Sequence, residues 1–167
     1  STLGSQPHIT LSVPREEPRP LVESTAGRAV SRLIQPASQR LRSIDQWPVV
    51  MADAQRVAGV TFASATVTGS GVATRADARA PIVIRGVDAD RFPAIIDLRA
   101  KMAAGRFDLS GGNVVIGLTL ASDLGIGVGD KLRVASTEGI EDVVTVSGVV
   151  ELGNQSVDKT WVVTSLR

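Results

Sequence analysis

Hydrophobic positions change period several times along this chain, and each change predicts an element. Residues 8–13 alternate weakly, with Ile9, Leu11 and Val13 on one face, which predicts a strand. The polar PREEPRP run at 14–20 breaks the pattern and predicts an exposed linker. From 25 to 44, Val30, Leu33, Ile34, Ala37, Leu41 and Ile44 recur at helical spacing opposite Arg28, Arg32, Arg40 and Arg42, and Pro36 should kink the helix. Asp45 is placed to cap a second helix with Pro48 in its first turn. Trp47, Val50, Met51, Ala54 and Val57 form its apolar stripe, and Gly59 ends it.

From Val60 the period falls to two. Val60 and Phe62 share one face and Ala65 and Val67 the other phase, so a bulge near Ser64 is expected. Gly69-Ser70-Gly71 reads as a tight turn into a strand at 72–75, and 82–87 reads as a third strand. Asp90 is placed to cap a helix with the stripe Phe92, Ile95, Ile96, Met102 and Ala103, closed by Gly105. A fully apolar strand follows at 114–116, then a short helix at 119–124 ending at Gly125. Gly129-Asp130 turns into a strand at 132–134, and Glu138-Gly139 reverses the chain. Val144, Val146, Val150 and Leu152 line one face of a long strand, and 161–164 is the last strand. The order predicts an α+β protein: a mixed sheet with a few short helices, in two lobes. Residues 1–58 would give the strand, linker and amphipathic helices of the first lobe, and 59–167 a mainly β second lobe. No internal repeat is present.

Composition narrows the function classes. The chain has 167 residues, 43% hydrophobic and 21% charged, as in ordinary globular proteins. Eighteen Lys and Arg against 17 Asp and Glu give a formal charge of +1, no basis for binding nucleic acid. Aromatic residues are 3%, too few for stacking platforms. With no cysteine there is no disulfide, thiolate metal site or thiol catalysis. No apolar run approaches the ~20 residues needed to span a bilayer, and the opening STLGSQPHITLSV lacks the regions of a signal peptide.

Candidate chemistry is sparse. The single histidine, His8, has no partners at triad or metal-cluster spacing and reads as an edge or surface residue. Asp88 and Asp90 lack the further oxygen ligands of a calcium loop, and turn and cap roles account for both. Gly125, Gly127 and Gly129 follow a helix C-terminus, whereas a phosphate cradle uses a helix N-terminus, so capping and turn geometry explain them. Glu138, Glu141, Asp142 and Glu151 are not paired for acid–base work. No catalytic residue, cofactor or metal site is expected. The arginines Arg28, Arg32, Arg40 and Arg42 keep two readings: a solvated helix face, or a surface turned to a membrane or partner.

Gly86-Val87-Asp88, Ala104-Gly105-Arg106, the run 112–117 (GNVVIG), Leu124-Gly125-Ile126 and Gly129-Asp130, in that order, resemble the extracytoplasmic core domain of ABC transporter permeases of the MacB, LolC/LolE and FtsX type. The resemblance covers about 59–164 and, more loosely, 9–13. It implies a non-catalytic domain on the periplasmic or extracellular face of the cytoplasmic membrane, excised from between membrane helices. Its motion would be driven by a cytoplasmic ATPase, beside a second permease copy, with a periplasmic protein, lipoprotein or peptide cargo as further partner. The link 136–142 is too short for the chaperone-recruiting hairpin of lipoprotein-releasing members, which argues against that activity. The family domain also continues past the position of Leu166. The segment 114–134 resembles half of a double-psi β-barrel as well, which gives a second reading: a small barrel-like ligand- or protein-binding module unrelated to transport.

Overall fold

A computed structural model of the chain describes residues 9–13 and 43–166. His8, the Pro-rich run and Arg28, Arg32, Arg40 and Arg42 lie outside the described residues. Residues 9–13 carry no strand, and Ile9 and Leu11 are exposed. Their alternation finds no neighbouring strand among the described residues.

The helix expected after Asp45 is α1, Trp47–Arg56, but Asp45 does not cap it. Gln46, at φ 57°, takes the cap position without a side-chain hydrogen bond. None of the residues of α1 is buried.

The rest is a mixed α+β structure built on a seven-stranded sheet. Its strands are β1 (Thr66–Arg75), β2 (Ala78–Val87), β3 (Met102–Gly105), β4 (Asn113–Gly117), β5 (Lys131–Ser136), β6 (Glu141–Val150) and β7 (Trp161–Ser165). The short helices α2 (Leu118–Leu124) and α3 (Gln155–Thr160) complete it. The order β3-β6-β4-β7-β2-β1-β5 closes on itself, because β5 also pairs with β6. Strands β1, β2, β7, β4, β6 and β5 thus form a barrel, with β3 as a spur on β6. Most seams are antiparallel; β2–β7 and β4–β6 are parallel. The ten residues of β6 make closure possible, since Glu141 to Thr145 pair with β5 and Thr145 to Val150 with β4.

Alternation sorts the side chains into an inner and an outer layer. Inside the barrel, Ala73, Ile82, Val114, Ile116, Leu132, Val146 and Val162 pack together. From one end Leu120, Ala121 and Leu124 of α2 plug the ring. Outside, Val87, Val115, Trp161 and Val163 are covered by Phe92, Ile96 and Leu98 from the connection after β2 and by Leu109 and Leu152. Both faces of β4 are therefore dry, which is why its sequence is apolar without alternation.

Two expectations are corrected by this packing, and one element is added. Gly69-Ser70-Gly71 is not a turn; it lies in the middle of β1, and the reversal comes at Ala76-Asp77, where Ala76 adopts φ 50°. Gly71 is required by crowding, since a Cβ there would stand 2.5 Å from the Ala135 carbonyl oxygen of β5. The helix expected from Asp90 is replaced by two 3-10 turns, Phe92–Ala94 and Arg99–Lys101. Met102 and Ala103 belong to β3 instead, because Gly148 on β6 lets that segment approach as a strand. The added element is α3: its polar sequence carries no stripe, and it is defined by Asn154, whose side chain accepts the Ser156 N–H.

Candidate functional site

Several carboxylates of the described residues serve the backbone. Asp88 accepts the Asp90 N–H at 3.0 Å and lies 3.8 Å from Arg91. Asp88 is the turn residue expected of it, while Asp90 caps nothing. The glycine loop after α2 behaves as its position dictates: Gly125 is the left-handed C-cap at φ 61°, and Gly127 donates its N–H to Asp130 at 2.9 Å. That N–H is thereby occupied by a carboxylate and is not free to cradle a phosphate. The Gly127 bond and, behind it, the Arg75 guanidinium 3.5 Å away hold the Asp130 carboxyl below the usual carboxylate range. Asp108 is held low in the same way, first by the Ser110 hydroxyl at 2.6 Å and then by the Ser110 N–H. Glu138, Glu141, Asp142 and Glu151 are exposed. Among the described residues no cluster of His, Asp or Glu could hold a metal ion.

What the fold does arrange is a pole and a wall. Thr66, where β1 begins, pairs with Val87, and Val87 pairs with Ser165, where β7 ends. The first and last strands of the barrel thus enter and leave at one pole, two inter-strand spacings or ~10 Å apart. Gly86 lies between them and faces Val67 and Leu166, and the Leu166 N–H extends the seam to the Val87 carbonyl. The β1–β2 reversal and the α2 plug lie at the other pole. There Arg75 is tied to the Lys131 carbonyl at 2.7 Å.

The wall is the outer face of β5, β1 and β2. In register order Arg133, Thr74 and Arg79 stand side by side, with Lys131 two residues from Arg133 on the same face. Thr74, Lys131 and Arg133, with Arg75, Ala76 and Val143, border a shallow depression of about 440 Å³. Farther along β2 on this outer face is Arg85, its guanidinium stacked 4.2 Å from the centre of the Trp161 ring. Arg85 is half-buried, its Nε has no hydrogen-bond partner among the described residues, and burial lowers its pKa from the ordinary value.

None of these wall residues was singled out by sequence reasoning. The signal for Arg85 was legible: it is the one charge inside the otherwise apolar stretch Ile82 to Val87. Lys131, Arg133 and Arg79 had no such signal, since only barrel closure brings β5 beside β1. Arg28, Arg32, Arg40 and Arg42, the basic residues the sequence did single out, lie outside the described residues. Among the described residues no helix is long and apolar enough to cross a membrane.

Comparison with known proteins places this geometry. The family model described as the MacB-like periplasmic core domain matches residues 18–167. No curated protein matches the chain. Among solved structures, the extracellular domain of the noncanonic ABC-type transporter YknZ from Gram-positive bacteria superposes with a TM-score of 0.50 at 18% identity, over 69% of this chain and 59% of that one. The chain therefore spans less than two thirds of that relative. A domain of a putative permease from Porphyromonas gingivalis aligns at 23% identity with a TM-score of 0.44, over 57% of this chain and 41% of that one. The periplasmic region of MacB from Actinobacillus actinomycetemcomitans aligns at 16% identity with a TM-score of 0.45, over 69% and 54% respectively.

Proposed function

Since this chain belongs to the family of MacB-like periplasmic core domains, we propose that it is the extracytoplasmic domain of an ABC transporter permease and transmits motion rather than catalysing a reaction. In this reading it stands on the periplasmic or extracellular face of the cytoplasmic membrane beside a second permease copy. A cytoplasmic ATPase drives it through membrane helices, and the output is export, extraction or activation of a partner.

The observation that carries the reading is the shared pole of Thr66 and Ser165. A lobe held by two connections ~10 Å apart follows its supports as a rigid body. Were the connections at opposite ends of the barrel, the same displacement would stretch the lobe and be dissipated in it. The ring of paired strands and its dry interior resist such deformation, because packed cores have few soft modes. Coupling further requires two states that differ in contacts, so ATP must favour one arrangement of the two lobes.

The test introduces one cysteine into this chain, which has none of its own, after any cysteine elsewhere in the transporter has been replaced. A spin label on Asp77→Cys, at the tip of the β1–β2 reversal, reports the distance between two copies in the full-length transporter. ATP should shift that distance distribution by several ångströms. An unchanged distribution in a transporter that still hydrolyses ATP would reject the reading.

A further inference from the structure

The outer wall of the barrel is unusual in what it leaves uncovered. Elsewhere the outer face is packed: the connection after β2 covers Val87, Val115, Trp161 and Val163. On β5, β1 and the first half of β2 no described residue covers it, and Val72 and Val143 are 41% and 54% exposed. This face carries Lys131, Arg133 and Arg79, with the half-buried Arg85 at its border with the covered part of β2, and register places one carboxylate on it, Glu141, at the far border opposite Ala135. None of the four cations has an ion-pair partner among the described residues; the nearby pair, Arg75 with Asp130, is on the rim. Arg79 and Arg85 stand six residues apart on one strand, ~20 Å, a span that an extended segment of about six residues would match.

Arg85 adds an independent observation. A guanidinium carries five donors in a fixed fork, and burying one without an acceptor is unfavourable. Stacking on Trp161 satisfies the flat face of the group, while its buried Nε–H has no acceptor among the described residues. A carboxylate is the acceptor that fits both the charge and the fork.

We infer that the wall from Lys131, Arg133 and Arg79 to Arg85 docks an acidic segment of a partner protein, with a carboxylate of that segment on Arg85. The apolar middle, Val72 and Pro81, gives the contact a dry centre between its charged ends. A second copy of this chain is a poor occupant, because a two-fold contact through this wall would oppose cation to cation. The inference rests on the wall alone and holds whether or not the lobe transmits motion.

The experiment places benzoylphenylalanine at Thr68, the exposed cross-strand neighbour of Arg85, in the full-length protein in cells, and maps adducts by mass spectrometry. The expected adduct is a peptide of another protein with an excess of Asp and Glu. Its yield should fall at least tenfold in the double variant Arg79→Glu, Arg133→Glu and in Arg85→Met, and be largely kept in Arg85→Lys. Both reversed arginines are exposed, so their variants should unfold at the wild-type temperature. Adducts to lipid, to a second copy, or to the chain's own Glu16, Glu17 or Glu23 peptide would overturn the inference. So would the absence of any adduct, or a yield indifferent to the charge reversals.

Discussion

Gly69 and Gly71 stand two residues apart on one strand, and substituting each with Ala separates a strand from a turn. Neither glycine has a positive φ, so an L-residue can adopt either backbone conformation. At Gly71 the new methyl would lie 2.5 Å from the Ala135 carbonyl oxygen and 3.2 Å from the Ile84 Cδ1. A carbon and an oxygen need ~3.3 Å, the lower end even of weakly bonded contacts, so β5 must retreat by most of an ångström. That strains the β1–β5 seam at Gly71↔Ser136 and Val72↔Ala135, the seam that closes the barrel. Overpacking costs about 1–3 kcal/mol and a weakened backbone hydrogen bond about 1 kcal/mol, while the loss of glycine's freedom in the unfolded chain returns about 0.4–1 kcal/mol. The net is a loss of about 2 kcal/mol, or roughly 4–8 °C in a chain of this size. At Gly69 nothing lies within 4 Å of the added Cβ, so Gly69→Ala should gain the entropic term alone, about 0.5 kcal/mol. Urea unfolding followed by the fluorescence of buried Trp161 measures both, and the m-value should not change. Equal midpoints for the two variants would refute the argument, since only the β5 contact distinguishes them.

Three further outcomes follow from the same packing. Asp158, 5% exposed, accepts the N–H groups of Leu152 at 2.8 Å and Gly153 at 3.2 Å; Asp158→Ala orphans the buried Leu152 N–H and should cost about 2–4 kcal/mol by urea denaturation, with Asp158→Asn intermediate. Gly117→Ala drives a Cβ into the Asp158 backbone, and because backbone yields less than a side chain, it should destabilise by at least about 3 kcal/mol in the same assay. Asp108 and Asp130 both titrate below the ordinary carboxylate range when folded. Above the unfolded value of about 3.9 their contribution is fully present, and it is lost as pH falls through the depressed folded values. Stability should therefore drop below about pH 4, and the double variant Asp108→Asn, Asp130→Asn should flatten that acid slope in pH-dependent unfolding.

Much of the fold is legible in local pattern. The apolar run of β4 has both faces buried, the α2 stripe ends at a left-handed Gly125, and Gly139 turns the β5–β6 hairpin at φ 84°. Family membership was legible too, because turns and glycines in fixed order are one-dimensional features. Two glycines misled. Gly69 and Gly71 look like a turn in sequence, yet Gly71 answers to a neighbour more than sixty residues away. The 3-10 turns at Phe92–Ala94 and Arg99–Lys101 mimic a helical stripe because Phe92, Ile96 and Leu98 all reach the outer core layer.

The sequence by itself determined the order and kind of most elements, for period and capping depend on neighbours within a few residues. It also determined what this chain lacks, cysteine above all. Tertiary structure alone decided that the sheet closes, since the β5–β6 and β1–β5 pairings together join strands that no local signal makes adjacent. It decided as well that Thr66 and Ser165 share a pole and that Lys131, Arg133, Arg79 and Arg85 share a wall. Those are register relations across strands, set by packing two hydrophobic layers about one ring, and register is not written in any single segment.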